Sequence, residues 1–230
     1  MVRLVLFDID GTLVHTGGAG IKAFAKVFAT EFKAPNGVDR MKFAGRTDVN
    51  LVREFFTLNR IEPSAENFQR FFERYVFWLD HILRDSETAA CLGVFEFMNA
   101  LRELPHPPTF GLLTGNIRLG AEIKLRHFDL WQEFETGGFA DDHEDRDQIA
   151  HAALRRGSRV LGSELRGEEV LVIGDTPLDI RCGRAIGAKV LAVATGGATW
   201  SELKQHRPDR LVEDLRQVAA NEICGQPRSV

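Results

Sequence analysis

The stretch LVLFDIDGTL, Leu4 to Leu13, restricts the fold more than any other part of the chain. Its apolar residues do not alternate with polar ones, so a strand made from them is covered on both faces. The expected strand runs from Met1 to Ile9 and ends at a Gly-Thr signal. Residues i and i+2 of a strand point the same way. Asp8 and Asp10 therefore share one cavity if the extended geometry persists that far.

From Val14 to about Asp85 the pattern is helical. Phe24, Val27, Phe28 and Phe32 recur at helical spacing, as do Leu51, Val52, Phe55 and Phe56. Phe68, Phe71, Phe72, Tyr75, Val76, Leu79, Ile82 and Leu83 form the clearest stripe, opened by Pro63 and Ser64. Ten of the 17 phenylalanines lie in this stretch, which predicts a small all-helical unit with its own core.

Beyond it, strands and helices alternate. Helices are expected at Leu92–Leu104, Ile117–His127, Gln148–Arg155, Leu178–Ile186, Ser201–Gln205 and Leu215–Glu222. Strands are expected at Thr109–Leu113, Phe134–Gly138, Val170–Ile173, Lys189–Ala194 and Arg210–Val212. The alternation predicts an α/β fold: a Rossmann-like parallel sheet with helices on both faces and an inserted helical unit. Residues 1–14 and 86–223 would form the core and 15–85 the insertion. The tail from Cys224 to Val230 has no periodicity and is expected to be flexible.

The chain has 230 residues and a formal net charge of −4, which leaves no basic footprint for nucleic acid. No apolar run approaches the ~20 residues that a membrane span needs. Asp8 and Asp10 also interrupt any leader-peptide pattern. The cysteines, Cys91, Cys182 and Cys224, are far apart and odd in number, which argues against a disulfide framework or zinc site and for a reducing cytoplasm. Nothing in the sequence specifies an oligomeric state.

In a parallel sheet, sites form at the carboxyl ends of the strands. There the chain places Asp8 and Asp10, then Thr114, Gly115 and Asn116 of LLTGN, then Asp175 and Asp179 of VIGDTPLDI. Thr176 is a candidate N-cap and Pro177 suits the first helical position, which brings Asp179 into the first turn. Four converging carboxylates repel one another and would be forced to hold protons. A divalent cation relieves this, and an all-oxygen donor set favours Mg2+ over zinc. Thr114 offers a hydroxyl to an anion, Gly115 allows close approach of a backbone N–H, and Asn116 is a candidate cap for the next helix. A metal, an anion site and a free carboxylate together fit phosphoryl transfer. Asp8 would be the nucleophile, giving an aspartyl-phosphate, and Asp10 the acid and then the base.

Asp8-Ile9-Asp10-Gly11-Thr12-Leu13, Thr114-Gly115-Asn116 and Gly174-Asp175-Thr176-Pro177-Leu178-Asp179 resemble the motifs of the haloacid dehalogenase-like hydrolases, most closely those of the phosphoglycolate-phosphatase-like branch. The helical insertion matches the position of that family's cap domain. The resemblance implies that Asp8, the backbone carbonyl of Asp10, and Asp175 bind Mg2+. It also implies that Asp179 supports the metal through water or shapes the site, and that Thr114 grips phosphoryl oxygens. The chain departs from the family at one point: the lysine usual before the last motif is missing from ADDHEDRDQIAH, Ala140 to His151. Arg146 is the best-placed cation there, able to grip phosphate and neutralise Asp8. Lys124 is the alternative, disfavoured because it sits mid-helix, two turns from the site end.

In the insertion, Arg46 of AGRTD is a candidate for holding a substrate carboxylate or second phosphate, or simply precedes a helix capped by Thr47 or Asp48. His15 and the small residues Thr16–Gly20 suit a hinge. The expected activity is a Mg2+-dependent phosphatase for a small phosphorylated metabolite, with phosphoglycolate as the substrate the resemblance points to. The alternatives are a sugar phosphomutase, a dehalogenase, a phosphonate hydrolase using Lys22, and a phosphate-binding regulator without turnover.

Overall fold

The N-terminal apolar run becomes β1, Leu4–Phe7, and all of it is buried. The computed structural model describes residues 1–224. After β1 come β2 (Val14–His15), α1 (Ala19–Glu31), α2 (Asp48–Leu58), α3 (Ala65–Arg84), β3 (Ala89–Ala90) and α4 (Val94–Arg102). The alternating part continues with β4 (Thr109–Leu113), α5 (Arg118–Arg126), β5 (Thr136–Gly138), α6 (Arg146–Val160), β6 (Val170–Gly174) and α7 (Pro177–Ala185). It ends with β7 (Lys189–Val193), α8 (Trp200–Gln205), β8 (Arg210–Val212) and α9 (Ala220–Cys224).

Six strands form one sheet in the order β5-β4-β1-β6-β7-β8. Every neighbouring pair is parallel, as non-alternating strands demand. β1 is central and feeds both faces. Val5 and Phe7 pack with Val94 and Met98 of α4 and Leu125 of α5. Leu4 and Leu6 pack with Ile149 and Ala153 of α6 and Ile180 of α7. This two-sided burial places the carboxyl end of β1 in the middle of the sheet edge.

The helical insertion has its own aromatic core. Phe24 and Phe28 of α1 meet Phe55 and Phe56 of α2 and Phe71 and Tyr75 of α3, with Phe28 and Phe55 stacked. α3 starts where Ser64 accepts the backbone N–H of Asn67, and it buries Phe71, Tyr75, Leu79 and Leu83 at four-residue intervals. Ile117 and Ala140, from the sheet-bearing part, join this cluster, so the two cores meet at their boundary. The chain crosses between the parts as a two-stranded antiparallel ribbon, β2 with β3. A second attachment is polar: Asp48 N–H donates to Gly115 O at 2.7 Å, and Thr47 Oγ1 donates to Glu144 O at 2.9 Å.

Two expectations change. The helix expected over Leu215–Glu222 is a single 3-10 turn, Leu215–Gln217, followed by the separate helix α9. Asp214 caps the start of the turn by accepting Arg216 N–H at 2.9 Å, and the extended backbone of Val218 (φ −134, ψ 131) ends it. Cys224, expected in a flexible tail, ends α9 and is buried in the cluster beside β1. The rest of that expected tail lies outside the described residues. Among the described residues no helix is long and apolar enough to cross a membrane.

Candidate active site

Asp8 immediately follows β1 and still donates its N–H to Ile173 O at 2.9 Å, so the ladder to β6 fixes its backbone. The chain then turns sharply: the N–H groups of Thr12, Leu13 and Val14 all point at Ile9 O. Gly11 makes this possible with φ 85, and a Cβ there would lie 2.7 Å from Asp175 Oδ2. Thr12 Oγ1 donates to Asp175 Oδ1 at 3.0 Å. The Gly-Thr pair thus builds the wall against which the second acidic motif is held.

At the end of β6, Thr176 caps α7 with Pro177 at the first helical position, as expected. The cap is reciprocal: Asp179 Oδ2 accepts Thr176 N–H at 2.9 Å and its hydroxyl at 2.6 Å. This returns the Asp179 carboxylate to the strand end, where its other oxygen pairs with Arg146.

Arg146 is the first residue of α6, after the N-cap Asp145. Its guanidinium is 4% exposed and reaches Asp8 Oδ1 at 3.3 Å, Leu113 O at 3.3 Å and Gly45 O at 3.1 Å. Burial opposes its charge, but Asp179 and Asp8 outweigh burial and hold its pKa above the ordinary value. Its Nε has no partner among the described residues.

Oxygens of Asp8, Asp175 and Asp179 lie within 4.8 Å of one another, and all three residues are buried. Burial, then Asp179, pushes the Asp8 carboxyl well above its ordinary value, against Arg146. Burial and Asp179 push Asp175 up to about 7, against the Gly197 N–H and the Thr12 hydroxyl. The carboxylate of Asp10 is not part of this trio. Asn116 Nδ2 donates to Asp10 Oδ2 at 2.8 Å, and Lys124 Nζ lies 2.6 Å from the same oxygen.

Lys124 was the disfavoured cation, yet its ammonium is inside the site and also donates to Asn116 Oδ1 at 2.6 Å. It reaches the site end from mid-helix because long side chains on a helix lean back toward its N-terminus. A usable signal was present: Lys124 shares the inward face of α5 with Gly120 and Ala121, four and three residues away. A charged residue on a buried stripe calls for a buried partner.

Asn116 does not cap α5. The N-cap is Ile117, which contributes no side-chain cap, and Ile117 N–H is taken by Asp48 Oδ2 at 2.9 Å. Asn116 is thereby released to bridge Asp10 and the Thr114 hydroxyl, each at 2.8 Å. Gly115 has a packing role: a Cβ would lie 2.2 Å from Arg46 O, so glycine admits the insertion's backbone. Asp48 is buried, and burial, opposed by Lys124, pushes it up to about 7. Burial, with Asp48 and Asp10 nearby, pushes the Tyr75 phenol well above its ordinary value.

Asp8, Asp10, Thr114, Lys124, Arg146 and Asp175 share a cavity of ≈ 460 Å³ between the sheet edge and the insertion. His15 and Arg46 line its far side. His15 is exposed and sits in the β2–β3 ribbon. Arg46 is held within the insertion by Asn50 Oδ1 at 3.2 Å and by an ion pair with Glu54. Thr47, and not Asp48, caps α2.

A family model described as haloacid dehalogenase-like hydrolase matches residues 5–193. The chain is 25% identical over 217 residues to a putative pyrophosphatase PpaX of Caldanaerobacter subterraneus, covering 94% of this chain and 93% of that one. A hydrolase from Pseudomonas syringae has the same fold with a TM-score of 0.73 at 20% identity, covering 94% of both chains. CbbY from Rhodobacter sphaeroides, solved in complex with phosphate, gives a TM-score of 0.72 at 17% identity, covering 94% of this chain and 95% of that one.

Proposed function

The chain belongs to the haloacid dehalogenase-like hydrolases, and within that family we propose that it is a Mg2+-dependent phosphatase of small phosphomonoesters. The observation that carries this reading is a buried Asp8 with Arg146 at 3.3 Å and two further buried carboxylates within 4.8 Å. The name of the PpaX relatives, pyrophosphatase, also favours a phosphorus–oxygen bond as the one cleaved.

The donor set fits the metal. It is all oxygen, and Asp8 and Asp175 are both pushed upward by burial and then by Asp179, which a single guanidinium does not offset. Asp8, Asp175 and the backbone of Asp10 would hold the ion. Asp179, with one oxygen on Arg146 and the other on Thr176, shapes the site. When bound, Mg2+ supplies charge neutralisation for the carboxylates and the phosphoryl oxygens.

A carboxylate oxygen of Asp8 attacks phosphorus, and the bond to the leaving oxygen breaks with its electron pair. Asp10 gives that oxygen a proton. Water then attacks the aspartyl-phosphate, Asp10 takes the water's proton, and Asp8 regains its carboxylate as phosphate departs. Arg146 and the Thr114 hydroxyl face the phosphoryl oxygens, where positioning supplies most of the catalysis. In this reading residues 1–14 and 86–223 are the catalytic core, and 15–85 form a cap that excludes bulk water. The three free, buried cysteines suit a reducing cytoplasm.

Phosphate release from p-nitrophenyl phosphate tests the reading. Turnover with Mg2+ that is lost with chelator and in Asp8→Asn is expected. Metal-independent turnover, or a fully active Asp8→Asn, would refute it.

A further inference from the structure

The phosphatase reading leaves part of the cavity lining without a role. Tyr75, Asp48 and Ile21 line the cavity and take no part in phosphoryl transfer, and they share it with Lys124, whose ammonium anchors Asp10. Tyr75 comes from α3 and is 1% exposed, but it lines the cavity, and its hydroxyl makes no hydrogen bond among the described residues. A methyl group placed on Gly20 would lie 3.6 Å from Lys124 Nζ and 3.7 Å from Tyr75 Oη. The two polar heads therefore both face the space that Gly20 leaves open at the first turn of α1. Asp48 adds an acceptor to the same wall, and Ile21, 45% exposed, adds an apolar surface.

The charge balance of this wall discriminates between leaving groups. Lys124 is committed to Asp10 and Asn116, and Arg46 to Glu54 and Asn50. A leaving group with its own phosphate or carboxylate would face Asp10 and Asp48, and among the described residues the exposed imidazole of His15 is the one basic group of the lining without an acid partner. Hydroxyl groups both donate and accept, which matches a wall of one phenol, one ammonium and one carboxylate. The cavity of ≈ 460 Å³ holds on the order of fifteen waters at ~30 Å³ each, far more than an inorganic phosphate needs.

Resting on the phosphatase reading, we propose that Tyr75, Lys124 and Asp48 form a leaving-group subsite selecting an uncharged, polyhydroxylated alcohol, so that the substrate is a polyol or sugar monophosphate.

The test compares kcat/KM for four substrates with Mg2+: sorbitol 6-phosphate, phosphoglycolate, inorganic pyrophosphate and p-nitrophenyl phosphate. The wild type is expected to favour the polyol phosphate over phosphoglycolate and pyrophosphate by at least tenfold. Tyr75→Phe, which removes only the hydroxyl, is expected to lower the polyol phosphate at least tenfold more than p-nitrophenyl phosphate. Asp48→Asn is expected to raise pyrophosphate relative to the polyol phosphate at least tenfold. A wild type that turns over p-nitrophenyl phosphate but prefers pyrophosphate or phosphoglycolate overturns the subsite and leaves the phosphatase reading standing. So does Tyr75→Phe lowering every substrate equally. No release from any of the four overturns the phosphatase reading and the subsite with it.

Discussion

Lys124 Nζ lies 2.6 Å from Asp10 Oδ2, and both groups also bond to the side chain of Asn116. A residue at the end of the second turn of α5 thereby fixes the carboxylate proposed to move the proton. Asn116 ties that pair to the Thr114 hydroxyl at 2.8 Å, so acid, phosphate-facing hydroxyl and ammonium form one connected unit.

Asp10→Asn is expected to slow hydrolysis of an alkyl phosphate at least ~100-fold, the usual order for lost acid–base help. Lys124→Met leaves the acid present but unanchored and is expected to slow the same reaction roughly 10-fold or more. With p-nitrophenyl phosphate, whose leaving group needs no proton, both losses shrink. Equal losses for the two substrates in steady-state assays would remove the proton role.

Arg146→Met strands Asp8 and Asp179 without their buried cation. Breaking a buried pair in this way destabilises by about 3–5 kcal/mol. Urea unfolding at neutral pH measures it. Arg146→Lys keeps the charge but not the fork that spans Asp8, Leu113 O and Gly45 O, and is expected to fall between the two.

The sequence made much of this readable, for physical reasons that differ by residue. Asp8, Asp175 and Asp179 were placed together because each follows a buried strand or its cap, and local rules govern those positions. Arg146 followed from the resemblance, as the cation in the loop expected ahead of the helix at Gln148, and it proves to be the first residue of that helix. Lys124, the second candidate cation, was ranked below Arg146 on its Cα distance, which the direction of its side chain outweighs. Asn116 was misassigned because the N–H groups that open this helix are met from elsewhere in the chain, Ile117 N–H by Asp48 Oδ2 and Arg118 N–H by Asp141 Oδ2. Such long-range substitutions leave no local pattern. The break after Gln217 was also invisible, since apolar spacing continues across it while the backbone turns extended at Val218.

Asp48 gives a pH signature. Its folded pKa, pushed up to about 7 by burial, exceeds the ordinary 3.8, so the folded state binds more protons between those values. Stability contributed by this group therefore falls as pH rises from about 4 through 7 and stays lower above that. Asp48→Asn removes the penalty and keeps an acceptor for Ile117 N–H. It is expected to stabilise the protein by roughly 1–3 kcal/mol at pH 8 and by nothing measurable at pH 4, read from paired urea melts. A gain that is the same at both pH values would contradict the assignment.

Gly115→Ala tests the seating of the insertion. The new Cβ would meet Arg46 O at 2.2 Å, and backbone offers no soft way out. The variant is expected to keep its far-UV circular dichroism while kcat/KM falls at least ~10-fold, because the cavity no longer closes over the phosphoryl group. Unchanged kcat/KM would mean that the contact between Gly115 and Arg46 is not needed for turnover.

The account turns on phosphorus passing to Asp8. Mixing enzyme, Mg2+ and a phosphomonoester for less than one turnover, quenching in acid and mapping peptides by mass tests this directly. The expected result is one added phosphoryl group on the peptide that contains Asp8, absent in Asp8→Asn. Phosphate release at full rate with that peptide never modified, or with Asp8→Asn equally active, would contradict it.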